Sequence, residues 1–302
     1  MKIALALGGG AARGLAHIGV IKVLEEAGIH IHLIVGTSVG AIIGGLYALD
    51  PSARRLEKLI IEYIESAPFK KLRFDFFNQQ SEMSKPVKRF LPPIPSLLEK
   101  GIFFGRSLSR LSFIHPEIVE ENSYHLFGES QCQESRIPVH FTATDLNSGT
   151  EVILSRGIIR DAVAASCAIP SILPPVFIEG RPLVDGGCIS LVPISASRRL
   201  GADLVVACNV GRSRLSLTYP LKSGFDVASR AYEITLFSLR LHQMKEADIL
   251  ISPDIDDFNW ADFARAREYI QRGEQAARLA LKGFKKKKLL KQIQRFFYPR
   301  CR

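Results

Sequence analysis

The 302-residue sequence predicts an α/β protein, a sheet covered by helices on both faces. Three observations predict it. Short apolar runs alternate with segments of helical period along most of the chain. Glycine-rich turns, Gly8-Gly9-Gly10 and Gly36-Thr37-Ser38-Val39-Gly40, stand at the first two strand-to-helix junctions. The composition, 47% hydrophobic and 23% charged, is enough for a sizeable core. No Pro/Ser-rich linker or repeat divides the chain, so one domain with an insertion is expected.

Taken in order, Lys2 to Leu7 is an apolar run stopped by glycines, as a buried strand should be. Ala12 to Ala27 follows with Leu15, Ile18, Val20, Val23 and Leu24 at helical spacing and Gly28 as its C-terminal cap. Ile31 to Val35 is a second strand, Gly36 to Gly40 a turn, and Ala41 to Leu49 a helix. Asp50-Pro51 is expected to cap the next helix, Ser52 to Ser66. From Pro68 to about Gly105 the pattern changes. Pro86, Pro92, Pro93 and Pro95 interrupt an aromatic, basic stretch, so residues 68–105 are expected to form an insertion or lid.

Regularity then returns. Val139 to Asp145 and Glu151 to Leu154 predict a strand pair about the Asn147-Ser148-Gly149 turn. Ile158 to Ala168 predicts a helix and Leu183-Val184 a short strand. Ile194 to Leu200 is a helix ended by Gly201, and Leu204 to Val210 a strand. A long helix over Phe225 to Glu246, a strand over Ile249 to Ser252 and a helix from Ala261 to about Leu281 complete the order.

Charge is uneven. From Gln275 to Arg302 there are ten cations and no acid, which leaves 30 Lys+Arg against 30 Asp+Glu in the rest. Residues 1–281 are thus expected to be the folded domain and 282–302 a basic tail. Leu289, Ile293, Phe296 and Phe297 recur near helical spacing among the tail cations, which suits peripheral contact with an anionic membrane. Basic and aromatic residues confined to one tail are poor support for nucleic-acid binding. The apolar start is too short for a signal peptide, and no run approaches the ~20 apolar residues of a membrane span. The five cysteines stand at no metal-ligand spacing. Reduced thiols and a cytoplasmic location, peripheral at the inner membrane surface through the tail, are the expectation.

Gly36-Thr37-Ser38-Val39-Gly40 fits G-x-S-x-G between an apolar strand and a helix. Small residues on both sides let the backbone fold back and expose the serine hydroxyl, so Ser38 is a candidate nucleophile with Gly36 and Gly40 as its elbow. Gly8-Gly9-Gly10-Ala11-Ala12-Arg13-Gly14 has a similar setting. Arg13 stands where a dinucleotide fingerprint counted from Gly8 needs its third glycine, and no Gly-Lys-Ser/Thr follows to make a P-loop. Glycine amides free of side chains suit an oxyanion hole instead. For the base, Asp145, Asp185 and Asp203 remain open on spacing alone. Histidine is the usual base, but His242 lies in a charged helical stretch without loop signals, and His17 sits among apolar neighbours.

Four ordered blocks then carry a resemblance: Gly8 to Gly14, Gly36 to Gly40, Ala165-Ser166-Cys167-Ala168-Ile169-Pro170 and Asp185-Gly186-Gly187. Over roughly Lys2 to Val210 the sequence resembles the patatin-like phospholipases, and within them the bacterial branch related to neuropathy target esterase. Ser190 departs from the Asn or Asp common in that family after the Asp-Gly-Gly block. The resemblance implies a three-layer α/β/α patatin-like fold with a central, mostly parallel sheet. It also implies a Ser38–Asp185 dyad without histidine, with Gly186 and Gly187 in the loop after the base. Gly8, Gly9, Gly10 and Arg13 would form the oxyanion hole, joined by the amide of Val39 at the helix start. The implied activity is a serine esterase or lipid acyl hydrolase acting through an acyl-enzyme, with no cofactor or metal. An acyl thioesterase on the same dyad, or a non-catalytic acyl-binding protein with the fold retained, are the alternatives.

Overall fold

The computed structural model describes residues 1–74, 111–215, 221, 223–284, 288–290 and 292. An eight-stranded sheet forms the middle layer. Strand β1 (Ile3–Leu7) lies between β2 (Leu33–Thr37) and β7 (Leu204–Cys208), both parallel to it. Every residue of these three strands is buried. Their near-continuous apolar runs follow from this, because helices cover both faces. Beyond β7 lies β8 (Ile249–Ile251), and beyond β2 lies β3 (Val139–Asp145), again parallel to their neighbours.

At β3 the sheet changes character. It pairs antiparallel with β4 (Glu151–Leu154) and with β6 (Arg181–Asp185), and β6 pairs antiparallel with β5 (Val176–Ile178). The spatial order is β5-β6-β3-β2-β1-β7-β8, with β4 also on β3. Mixed pairing is the expected α/β sheet with an antiparallel margin.

Strand alternation sends side chains into two cores. On one face Leu5, Leu7, Ile34 and Val206 pack under α1 (Ala16–Glu26), α2 (Val39–Leu49) and a helix near the C-terminus, Ala266–Ala280. On the other, Ala4, Ala6, Leu33, Val35 and Val205 pack with Ile194 and Ala196 of the short helix Ile194–Arg199. The sheet with flanking helices expected from the sequence is thus present. The Ala266–Ala280 helix crosses α1 closely: a Cβ on Gly19 would fall 1.9 Å from the Ile270 carbonyl oxygen, and one on Gly273 2.0 Å from that of Ala16. Only glycine at both positions permits that approach.

Local details depart from the sequence pattern in physically readable ways. The first helix begins as a 3-10 turn, Ala11–Leu15, entered through Ala11 at φ 48°. The second strand starts and ends two residues later than the apolar run suggests. Helix α3 (Ala53–Glu65) is capped not by Asp50-Pro51 but by Ser52, whose hydroxyl accepts the Arg55 amide at 3.3 Å. Two elements carry no sequence expectation. Strand β5 forms a hairpin with β6 through Glu179 and Gly180, both at positive φ, the backbone of a tight two-residue turn. Helix Pro116–Phe127 has only a few apolar anchors, with Asn122 and Phe127 buried.

Of the expected insertion, 68–74 holds the end of a short helix, Ala67–Lys71, and Phe69 and Phe74 packed on Phe263. The rest, 75–105, lies outside the described residues. So does most of the 282–302 tail, although 288–290 is helical with Leu289 and Leu290 exposed. Among the described residues no helix is long and apolar enough to cross a membrane.

Candidate active site

Sheet register brings two of the predicted residues together. Thr37, the last residue of β2, lies opposite Thr142 of β3, and Asp185, the last residue of β6, lies opposite Ala143. Consecutive positions on β3 therefore deliver Ser38 and Asp185 to one end of the sheet. Hydrogen bonds fasten the junction. The hydroxyls of Thr37 and Thr142 are 2.7 Å apart, and Thr37 also donates to the Ser190 carbonyl at 3.3 Å. Thr144 donates to the Asp185 carbonyl at 3.1 Å.

Ser38 sits at φ 55°, ψ −126°, a backbone conformation that L residues avoid. The turn is held by close contacts on both sides. A Cβ on Gly36 would lie 2.4 Å from the Gly40 carbonyl oxygen, and one on Gly40 2.2 Å from that of Leu7. The Ser38 amide donates to the buried hydroxyl of Ser166 at 2.9 Å. Strain of this kind, over-determined by its surroundings, is typical of residues that a site must hold in one pose.

Asp185 is buried, and its Oδ1 accepts the Gly187 amide at 2.7 Å. Burial pushes its carboxyl up to about 6, opposed by hydrogen bonds from the Ser38 side chain and the Gly187 amide. Gly186 and Gly187 are both shaped by close approach: a Cβ on the first would fall 2.6 Å from the Thr142 carbonyl oxygen, and on the second 2.9 Å from Asp185 Oδ1. Cys167, beside both Ser38 and Asp185, is a thiol driven well up by burial.

The rival bases have other duties. Asp145 accepts the Asn147 amide at 2.8 Å inside the β3–β4 turn, and Asp203 accepts the Lys2 amide at 2.6 Å. His242 is exposed on the long helix Gly224–Met244. His17 is fully buried, its Nε2 2.7 Å from the Gly8 carbonyl oxygen. Burial holds its imidazole down at about 4, so it is neutral and donates that bond.

The glycine loop is only partly open for an anion. The Gly8 amide donates to the Cys208 carbonyl at 3.0 Å, Gly9 to that of Leu191 at 2.9 Å, and Arg13 to that of Gly10 at 3.2 Å. These engaged amides do not match the expected oxyanion hole. Among the described residues, no acceptor takes the amides of Gly10, Ala11 or Val39. Ala11 was not legible as a donor; its positive φ is visible only in three dimensions. Gly9 presses on Ser38, a Cβ there falling 3.1 Å from the serine Cβ. Gly14 interlocks with the helix after the nucleophile turn, since a Cβ at 14 would meet Val39 Cγ1 at 2.1 Å.

Two cavities meet at Ser38. One, of about 120 Å³, is apolar and runs between Leu15, Ile42, Ile60, Tyr63, Ala164 and Leu173. The other, of about 520 Å³, holds Asp185 together with Arg13, Arg212 and Arg240. Among the described residues no three His, Cys, Asp or Glu side chains gather as a metal site. Sequence reasoning missed Ser166, Thr142, Arg212 and Arg240. Only Ser166 carried a signal, its place in the Ala165-to-Pro170 block.

Residues 5–197 match the family model of the patatin-like phospholipases, which is more than half of the chain. The chain belongs to the patatin-like phospholipase family. Ser38, Asp185 and both glycine loops fall inside the matched span; Arg212 and Arg240 fall outside it. Human patatin-like phospholipase domain-containing protein 6 is 33% identical over 211 residues, covering 69% of this chain and 13% of that protein. Lysophospholipase NTE1 of Debaryomyces hansenii is 27% identical over 290 residues, covering 88% of this chain and 17% of that one. The chain thus spans under a fifth of the length of these relatives. Their names agree with the relation to neuropathy target esterase that the motifs imply. The crystal structure of VipD from Legionella pneumophila superposes on 93% of this chain and 66% of that one, at TM-score 0.49 and 14% identity.

Proposed function

We propose that this patatin-like phospholipase family member hydrolyses carboxylic esters of lipids through a Ser38–Asp185 dyad. One observation carries the reading: a serine in a strained strand-to-helix turn meets a buried carboxyl, raised to about 6, where an apolar cavity joins a polar cleft. A lone carboxylate in water is a poor base for a hydroxyl. Burial strengthens it while leaving it ionised at neutral pH.

Ser38 Oγ attacks the ester carbonyl carbon and passes its proton to Asp185. The tetrahedral oxyanion is met by the amides of Gly10, Ala11 and Val39, the last at the positive end of α2. Collapse expels the alcohol, which takes the proton from Asp185, and leaves Ser38 acylated. Water then attacks the acyl-enzyme with Asp185 again as base, restoring the serine. The apolar cavity suits the acyl chain, and the larger cleft suits the rest of the ester. The relatives named lysophospholipases support a lipid substrate.

Fluorophosphonate labelling and turnover of a short acyl nitrophenyl ester test the reading. Wild type is expected to label and turn over, and Ser38→Ala to do neither. Near-normal turnover by Ser38→Ala would overturn the nucleophile. An unlabelled wild-type serine would favour the non-catalytic acyl-binding alternative, and faster turnover of an acyl thioester than of its oxygen ester the thioesterase. A second reading follows from the exposed Leu289 and Leu290 beside Lys288: the basic tail contacts anionic lipid. Its test is vesicle co-sedimentation of the full chain against one ending at Leu281, where equal binding refutes it.

A further inference from the structure

The Gly224–Met244 helix forms one wall of the larger cleft, with Tyr232, Leu236, Phe237 and Arg240 beside Ser38 and Asp185 in its lining. Yet among the described residues of this helix only Arg240 is buried, so its apolar side chains add little to the core. Many of them face outward instead. Val227, Ala231, Ile234, Ser238 and Leu241 follow one another at alternating spacings of four and three, which sets them on one line along the helix. All five are exposed. From Val227 to His242, no exposed position carries Asp, Glu, Lys or Arg.

The charged residues of that stretch are turned away from solvent. Glu233 and Arg240 line the cleft, and Glu233 pairs with the half-buried Arg230 at 2.8 Å. A helix on a protein surface ordinarily carries its charges outward and its apolar residues inward. Here that order is reversed over about four turns. Val227, Tyr232, Ile234, Leu239 and Leu241 are 38–53% exposed and show on the order of 400 Å² between them, a patch of the size that is often functional.

Breadth, area and place select a lipid surface as what covers this face. At about 100° per residue the uncharged positions span roughly half the circumference, from Leu241 round to Tyr232. A helix seated on a second helix needs only a narrow seam flanked by charges. The apolar area is also about half of the roughly 800 Å² that each partner of a stable dimer buries. Tyr232, 49% exposed, belongs both to this face and to the cleft lining, so the face runs into the cleft of Ser38. Lys245, exposed one turn beyond Leu241 on the same line, supplies a cation that can reach up to headgroups.

We propose that the outward face of the Gly224–Met244 helix docks on the hydrocarbon boundary of a lipid bilayer and delivers lipid to the Ser38 cleft. Delivery rests on the hydrolase reading; docking does not. The surface differs from the basic tail in kind, because its contacts are apolar. It should hold neutral membranes at high salt, where attraction of a basic segment to anionic lipid is screened.

Co-sedimentation of the full chain with pure phosphatidylcholine vesicles at about 1 M salt, a Debye length of roughly 3 Å, tests this. Wild type should bind, and Ile234→Glu combined with Leu241→Glu should weaken binding at least tenfold. Ser238→Leu, in the middle of the line, should strengthen it at least tenfold, since each newly buried methylene is worth roughly fourfold. That variant decides the matter alone if the double variant fails to fold by circular dichroism. The double variant should also lose at least tenfold in turnover of a long-chain ester carried in the vesicles, yet keep its turnover of a dissolved short acyl nitrophenyl ester. Wild-type protein that stays in the supernatant at high salt, or binding unmoved in both variants, overturns the docking surface. A wild-type dimer in light scattering that the double variant dissolves overturns the lipid assignment and identifies a second copy as the occupant. Helix-dependent vesicle binding by a chain that turns over no ester would sink the hydrolase reading and leave the docking surface standing.

Discussion

Asp185→Asn should make this protein inactive and more stable at the same time. Burial raises the carboxyl from 3.8 to about 6, so the folded state holds a proton more tightly than the unfolded chain does. Between pH 3.8 and about 6 the native state binds more protons, and stability therefore falls as pH rises through that window. At about 1.4 kcal/mol per unit, ionised Asp185 costs the fold about 3 kcal/mol above pH 6, and nothing below pH 3.8. Asparagine imitates the protonated form and its Oδ1 can still accept the Gly187 amide. The variant should gain about 2–3 kcal/mol at pH 8 and show no gain at pH 3.5. Its ester turnover should drop by about 10²–10⁴-fold with the loss of the base. Urea unfolding of both proteins at the two pH values, beside nitrophenyl ester assays, measures each side. An equal stability difference at both pH values would refute burial as the source of the basicity, whatever happened to activity.

The same carboxyl sets the pH profile: wild-type kcat/KM should fall tenfold per pH unit below about 6, and a flat profile down to pH 5 would remove Asp185 as base. Gly40→Ala drives a Cβ to 2.2 Å from the Leu7 carbonyl oxygen, so a loss at or above the top of the ~1–3 kcal/mol overpacking range is expected in thermal melts. Ser166→Ala leaves the buried Ser38 amide without its acceptor. It should cost about 1–3 kcal/mol and lower kcat roughly tenfold or more, and unchanged kcat would show that the turn holds itself. Ala164→Phe fills part of the apolar cavity, so activity on a decanoyl ester should fall at least about tenfold relative to a butyryl ester; at about 0.8 kcal/mol per methylene, excluding two of them is enough.

The central strands and the glycine turns were legible because their causes are local. A strand buried on both faces must be apolar throughout, as Ile3 to Leu7 is, and a sharp turn against backbone must be glycine, as at Gly36 and Gly40. Ser38 followed from such a turn. Asp185 did not: its distinction from Asp145 and Asp203 lies in register on β3 and in which amides each carboxylate already accepts. The amides open to an oxyanion were illegible for a related reason. Whether Gly8 and Gly9 have free donors depends on Cys208 and Leu191, about 200 positions away in the chain. Arg212 and Arg240 had no pattern at all, since a helix that looks solvated in sequence turns one arginine into the cleft. The β5–β6 hairpin escaped notice because its three-residue strand is too short to show alternation.

The interlock of Gly14 with Val39 bears on how this site can diverge. A side chain at position 14 collides with the valine before it meets anything else, so the first glycine loop and the start of α2 are not independent characters. Any lineage acquiring alanine at 14 must first shrink residue 39, and a lineage that has done so can no longer regain valine without reverting. Changes at these positions should therefore appear in a fixed order, and randomised libraries that vary one loop alone should return glycine at 14 almost without exception. A library varying both together should recover paired solutions that single-site scanning never reaches.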